Sequence, residues 1–276
     1  MAAGPPGRLA RVTASVLGPG DVVLLHDHAG RHFRVRLAAG ASWTGHAGRI
    51  AHDDLLGRPE GTVVTTDAGR PLLALRPTFA ERAEPRRRGP GVHPKDLAAM
   101  VLHADVSPGD VVVVASAGGD AVLALAALRA VGPAGRVVSY ERREEAAPQA
   151  GAEPPANLDR RAGELAADIA DRDVDRVLLD VPEPWLALPA AAAALRPGGA
   201  LGAACANAPQ VQRLCEELRS LGGFGLIRTL EVLERGWTVR DRSLRPAHRM
   251  VGHSNFLTFA RRLPGAEGFE AENEGF

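Results

Sequence analysis

Lysine is almost missing from this chain: of 33 basic residues only Lys95 is a lysine, and the rest are arginines. With alanine and glycine also abundant, that bias reads as GC-rich coding and carries little functional weight. Net charge is missing too, because 33 acidic residues balance the basic ones, so no global basic field argues for a nucleic-acid partner. Cysteine is scarce. Cys205 and Cys215 have no CxxC spacing and no histidine cluster beside them, which indicates neither a disulfide framework nor a zinc site and fits a reducing cytoplasm. No run approaches the roughly 18 apolar residues that span a bilayer, and the opening MAAGPPGRLARV has no apolar secretion core. A cytoplasmic protein without membrane contact is expected. Its 276 residues, 45% of them hydrophobic, suffice for one large or two modest domains.

Two grammars divide the chain. Residues 1–75 hold short strand-like runs, DVVLLHD, HFRVRLA and GTVVTTDAG, between turn-rich pieces, which predicts a small antiparallel β domain. Residues 76–95, with RPTFAERAEPRRRGPG, read as a linker or loop. From Asp96 to residue 263, apolar strands alternate with helices: KDLAAMVLHADV (helix), DVVVVAS (strand), DAVLALAALRAV (helix), GRVVSYE and VDRVLLDV (strands), WLALPAAAAAL (helix), GGALGAAC (strand). That alternation predicts an α/β fold with a parallel sheet covered on both faces. Residues 264–276 read as a fraying acidic tail.

At the first strand-to-helix turn a pyrophosphate-binding fingerprint would read GxGxxG, and only Gly118 and Gly119 are present. A dinucleotide site is therefore not supported. A methyl donor of the S-adenosylmethionine type needs less: glycines that admit the ligand, and an acid ending the second strand to hold ribose hydroxyls. Glu141 stands at that strand end, where a solvated charge beside Arg142 and Arg143 is the alternative. Glu164, with Leu165 beside it, follows a glycine where a third strand can end near an adenine ring, or else belongs to a surface helix.

In VDRVLLDVPEPW a buried strand runs into Asp180 and is stopped by Pro182 and Pro184, which places the carboxylate at the sheet edge that carries ligands in open parallel sheets. The plainer alternative is a turn cap. From Arg235 to Arg262 the chain has seven arginines and two histidines against one aspartate, a local basic surface in a neutral protein. Interleaved with Trp237 and Phe256, these residues can contact RNA, or they can solvate an antiparallel strand pair. Arg86, Arg87 and Arg88 form a shorter cluster of the same kind.

Six motifs occur in one order: RPT (76–78), HPKD (93–96), RAVGPAGRVVSYE (129–141), LDVPEPW (179–185), ERGWTV (234–239) and RPAHRMVGHSNFL (245–257). On them the chain resembles the bacterial tRNA adenine-N1 methyltransferases, from about residue 10 to residue 263. The resemblance implies a Rossmann-like methyltransferase domain, mostly parallel with an antiparallel C-terminal strand, behind a small N-terminal β domain. It implies S-adenosylmethionine as donor, N1 of adenine-58 in the tRNA T-loop as acceptor, and a homotetramer. Carried over by position, Asp180 is the catalytic aspartate and also borders the cofactor, Glu141 the ribose acid, and Glu164 the acid near the cofactor adenine. Arg86, Arg87, Arg88, Arg235, Arg245, His248 and His253 would face RNA.

The family's glycine turn usually reads E-A-G-T-G-S-G, against Ala115, Ser116, Ala117, Gly118, Gly119, Asp120 and Ala121 here. His93 and Ala204 likewise stand where the family carries tyrosines. The cofactor-binding set by position is Ala117, Gly118, Gly119, Asp120, Ala121, Glu141, Glu164, Leu165 and Asp180. The altered turn leaves one alternative: a catalytically silent tRNA-binding paralogue, or the partner subunit of an active one, that has lost cofactor binding.

Overall fold

The computed structural model describes residues 16–84, 92–116, 121–141, 155–163, 169–240 and 242–265. The chain divides into two units, Met1–Arg82 and Ala83–Phe276.

In the first unit, β1 (Val22–His26), β2 (His32–Arg36), β5 (Val63–Thr65) and β6 (Pro71–Leu75) form an antiparallel sheet in the order β2-β1-β6-β5, while β3 (Ser42–Gly45) and β4 (Gly48–Ala51) pair as a hairpin. Leu25, Val35, Leu37, Ile50 and Leu72 fill the core between them. Arg76 of the RPT motif closes this unit, donating to Asp21 at 2.7 Å, to Glu60 at 3.2 Å and to the Val16 carbonyl at 2.7 Å. Thr78 and Glu81 then start α1 (Phe79–Ala83) as a capping box, with the Thr78 N–H on Glu81 at 2.8 Å and the Glu81 N–H on the Thr78 hydroxyl at 3.3 Å. A helix thus occupies part of the segment read as a linker.

The second unit begins with α2 (Pro94–His103), whose Pro94 suits the first helical turn because no N–H partner is needed there. It continues through β7 (Val111–Ser116), α3 (Val122–Val131), β8 (Arg136–Glu141), β9 (Leu158–Ala162), β10 (Val174–Asp180), α4 (Leu188–Ala194), β11 (Leu195–Cys205), α5 (Ala208–Leu221) and β12 (Phe224–Glu231). β13 (Trp237–Arg240) and β14 (Ser243–Pro246) form a separate hairpin before β15 (Phe256–Arg262). The sheet order is β12-β15-β11-β10-β7-β8-β9, with β15 antiparallel to both its neighbours and β7, β8, β9, β10 and β11 mutually parallel. The fold is therefore an open, doubly wound, mostly parallel sheet with an antiparallel C-terminal strand.

The apolar strands took their expected places. Val112, Val113 and Val114 of β7 and Leu178 and Leu179 of β10 are fully buried because central strands face helices on both sides. The glycines of VGPAG have separate tasks: Gly132 ends α3 with φ 63°, and a Cβ at Gly135 would stand 2.7 Å from the Asp110 carbonyl. Several elements were not spelled out by the sequence: in the first unit β3, β4 and β6, and in the second α5 and β12, while β9, whose LDRRA is polar and gives no apolar run, was visible only as a place where a third strand can end before Glu164.

Candidate functional site

The sheet reverses its winding between β7 and β10: β8 and β9 continue on one side, β11 on the other. In doubly wound sheets the ligand crevice opens at that point, beyond the carboxyl ends of the strands. The two strands end there in Ser116 and Asp180, which are register partners, and the Ser116 hydroxyl donates to Asp180 Oδ2 at 3.1 Å. Burial pushes the Asp180 carboxyl above the usual carboxylate range, and the serine hydrogen bond pulls it partly back. No cation neutralises it among its described partners. Beyond Asp180 the chain is fastened by Gln210, whose amide donates to the Pro182 carbonyl at 2.9 Å and whose carbonyl accepts the Ala206 N–H at 2.8 Å. Trp185 packs into the core under the guanidinium of Arg213, 4.5 Å from its ring centre.

Glu141 ends β8 beside Ser116 of β7 and Ala162 of β9, so it shares the same edge. It is buried and already held: Arg160 of β9 donates through Nε to Oε1 at 2.9 Å and through Nη2 to Oε2, and the Ser139 hydroxyl lies 3.4 Å from Oε1. The alternative of a solvated charge at this strand end does not hold, because the carboxylate is buried and paired with Arg160, while Arg142 and Arg143 lie outside the described residues. Ala121, at the start of α3, adopts the left-handed conformation with φ 47° and ψ 27° and offers no side-chain cap. Ala117, Gly118, Gly119 and Asp120 lie outside the described residues, as do Glu164, Leu165, Arg86, Arg87 and Arg88.

On the other flank of this edge, motifs far apart in sequence meet. Lys95 Nζ lies 2.7 Å from Asp96 Oδ1 and also donates to the Ser254 hydroxyl, which in turn donates to Asp96 Oδ2 at 2.5 Å. The only lysine of the chain is thus buried against the carboxylate of Asp96. His253 bridges Glu231 at 2.6 Å and the Ala206 carbonyl at 2.9 Å, and two acceptors on one ring favour the imidazolium, so its pKa is raised, chiefly by Glu231. His93 precedes α2, and its buried Nδ1 has no partner among the described residues. Ala204 is buried in β11 opposite Leu257.

The arginine-rich stretch is organised by a register. β13 and β14 pair Trp237 with Pro246, Thr238 with Arg245, Val239 with Leu244 and Arg240 with Ser243. Alternate pairs face opposite ways, so one face of the hairpin is Trp237, Val239, Leu244 and Pro246 and the other carries Arg240 and Arg245. Trp237, Val239 and Leu244 are 61%, 73% and 68% exposed. Arg235 and His248 flank the hairpin, both exposed, whereas His253 belongs to the sheet edge. Sequence reading missed Arg160, Lys95, Gln210 and Ser254. HPKD and GHSNFL were visible as motifs, but only the fold shows that they touch.

Comparison with known proteins gives the following. Residues 85–247 match the family described as "tRNA methyltransferase complex GCD14 subunit", and residues 16–64 match "TrmI-like N-terminal". The tRNA (adenine(58)-N(1))-methyltransferase TrmI of Thermus thermophilus is 38% identical over 251 residues, 88% of this chain and 97% of that protein. The tRNA (adenine(57)-N(1)/adenine(58)-N(1))-methyltransferase TrmI of Methanocaldococcus jannaschii is 28% identical, covering 78% of this chain and 87% of its own. Among solved structures, an SAM-dependent O-methyltransferase from Thermotoga maritima superimposes with a TM-score of 0.81 at 27% identity, covering 92% of this chain and 97% of that one. The tRNA (m1A58) methyltransferase TrmI of Aquifex aeolicus gives 0.75 at 23% identity, covering 90% and 99%, and shares the Rossmann-like fold.

Proposed function

Because the chain belongs to the tRNA methyltransferase family that includes TrmI, we propose that it transfers a methyl group from S-adenosylmethionine to N1 of adenine-58 in the tRNA T-loop. The observation that carries this reading is the half-buried carboxylate of Asp180 at the switch point, held by Ser116. A carboxylate with no cation among its described partners is well placed to stabilise a positively charged one. An adenine alkylated at N1 is such a partner. Asp180 accepts a hydrogen bond from the 6-amino group, fixes the base in the plane of its ring and stabilises the charge that develops there. Because the group is preset by strand register and by Ser116, it needs little reorganisation when the base arrives.

S-adenosylmethionine, when bound, supplies the methyl group. Glu141 would hold its ribose hydroxyls; a buried carboxylate ending the second parallel strand fits that task. The target base has to leave its stack at a cost of a few kcal/mol, which arginine contacts to phosphate offset. Arg235, Arg245, Arg240 and His248 supply such contacts from the basic face of the hairpin and its flanks.

The hairpin's apolar face supports self-assembly into the family's tetramer. A two-stranded hairpin alone is marginal in water, and covering Trp237, Val239 and Leu244 with a second copy would stabilise it. The test of the function is incubation with tritiated donor and two T-loop-containing tRNA transcripts, one with adenine and one with guanine at position 58. Label confined to the adenine transcript is expected; no transfer to either, or equal transfer to both, refutes the reading.

A further inference from the structure

Glu141, the acid assigned to the donor's ribose, is not idle. Arg160 stands opposite Ser139 in the β8/β9 register, so its side chain shares a sheet face with Ser139 and Glu141. The guanidinium runs along that face and grips the carboxylate at both oxygens, Nε on Oε1 at 2.9 Å and Nη2 on Oε2. Such a fork takes one lone pair on each oxygen from the same side. A ribose diol, with hydroxyls on adjacent carbons, approaches a carboxylate through that same pair of positions. Arginine and ribose therefore compete for one face of one side chain.

The surroundings show which partner can yield. Arg161, the next residue, is tied to Asp159 at 2.7 Å, Asp171 at 2.6 Å and the Tyr140 hydroxyl at 3.0 Å. Arg160 has 22% of its side chain open to solvent, whereas Glu141 has 9% and is fixed at the end of a central strand.

We propose that Arg160 is an affinity-determining residue of the donor site: it occupies the ribose-binding face of Glu141 in the free protein and must swing off before a nucleoside ligand binds. The inference rests on reading Glu141 as the donor's ribose acid. It predicts that part of the ligand's binding free energy is consumed in parting the two side chains, so removing the guanidinium strengthens binding.

The experiment is calorimetric titration of wild type, Arg160→Gln and Glu141→Gln with S-adenosylhomocysteine at pH 8, alongside the nitrogen-15 resonance of the Arg160 Nε–H during the same titration. Arg160→Gln should bind roughly tenfold tighter, the scale set by one bidentate, partly buried ion pair. Equal or weaker binding by Arg160→Gln, with Glu141→Gln weakened, overturns the role of Arg160 and leaves Glu141 in the donor site. Absence of heat from all three at millimolar ligand removes the donor reading itself and the inference with it. Should Arg160→Gln fail to fold, the wild-type resonance decides: it shifts on saturation if the arginine is displaced, and an unmoved resonance overturns the proposal.

Discussion

Ala121→Gly should make the protein more stable, which is unusual for a substitution that introduces glycine at a helix start. Ala121 sits at φ 47° and ψ 27° ahead of Val122, without a side-chain cap. Holding an L-residue in the left-handed region costs roughly 1–2 kcal/mol. Glycine removes that strain but gives the unfolded chain more freedom, which is worth about 0.4–1 kcal/mol in the opposite sense. The difference leaves a net gain of about 0.5–1 kcal/mol, or a rise of about 1–4 °C in Tm for a chain of this size. Urea unfolding is the assay, read from the buried Trp185 in a background where Trp43 and Trp237 are phenylalanine, so that the signal reports the second unit. The midpoint should rise with the slope unchanged. A lowered midpoint would refute the reasoning, since it would mean that the methyl group contributes more through its contacts than the backbone loses through strain. Leu226, at φ 51° in the bulge between Gly225 and Arg228, is the comparison: the same relief applies, but the loss of a leucine side chain opposes it.

Three further outcomes are expected. Asp180→Asn should lower methyl transfer at least about 100-fold; because burial raises the Asp180 pKa, the folded state holds this proton more tightly than the unfolded chain, so stability falls as pH rises from the ordinary carboxylate range through the raised value. The variant should therefore melt above wild type at pH 8 and beside it at pH 3, and an equal gap at both would exclude the titration as the cause. Ser116→Ala removes the hydrogen bond that pulls Asp180 down, so the acid limb of the kcat–pH profile should move upward, whereas superimposable profiles would leave Ser116 without influence on the carboxylate. Val239→Thr with Leu244→Thr should reduce the sedimenting mass by weakening the exposed hairpin face, and an unchanged assembly would place the interface elsewhere.

The sheet and its carboxyl edge were legible because the physics that forms them is local. Runs such as VVVVAS and RVLLDV are apolar throughout only when a strand is covered on both faces, and proline after Asp180 marks the strand's end. β9 was not legible on those grounds. Its sequence, LDRRA, is polar because it is the outermost strand and its arginines are spent on ion pairs with Glu141, Asp159 and Asp171. Edge strands that carry charge hide from any reading built on hydrophobic runs.

That same blindness concealed the most consequential contact. Glu141 could be placed by counting to the end of the second strand, but its state depends on a side chain 19 residues away whose position follows from the β8/β9 register alone. The residues that register fixes, Ser116, Glu141 and Asp180, stand together at the carboxyl edge of the sheet. Those that surround them differ from the family pattern: alanine in a left-handed turn, and histidine and alanine where tyrosines are usual. The frame of the reaction thus depends on strand pairing, which many sequences satisfy. If Arg160 caps the ribose face of Glu141 as proposed, donor affinity is set at a position where substitution tightens binding without touching a reacting atom.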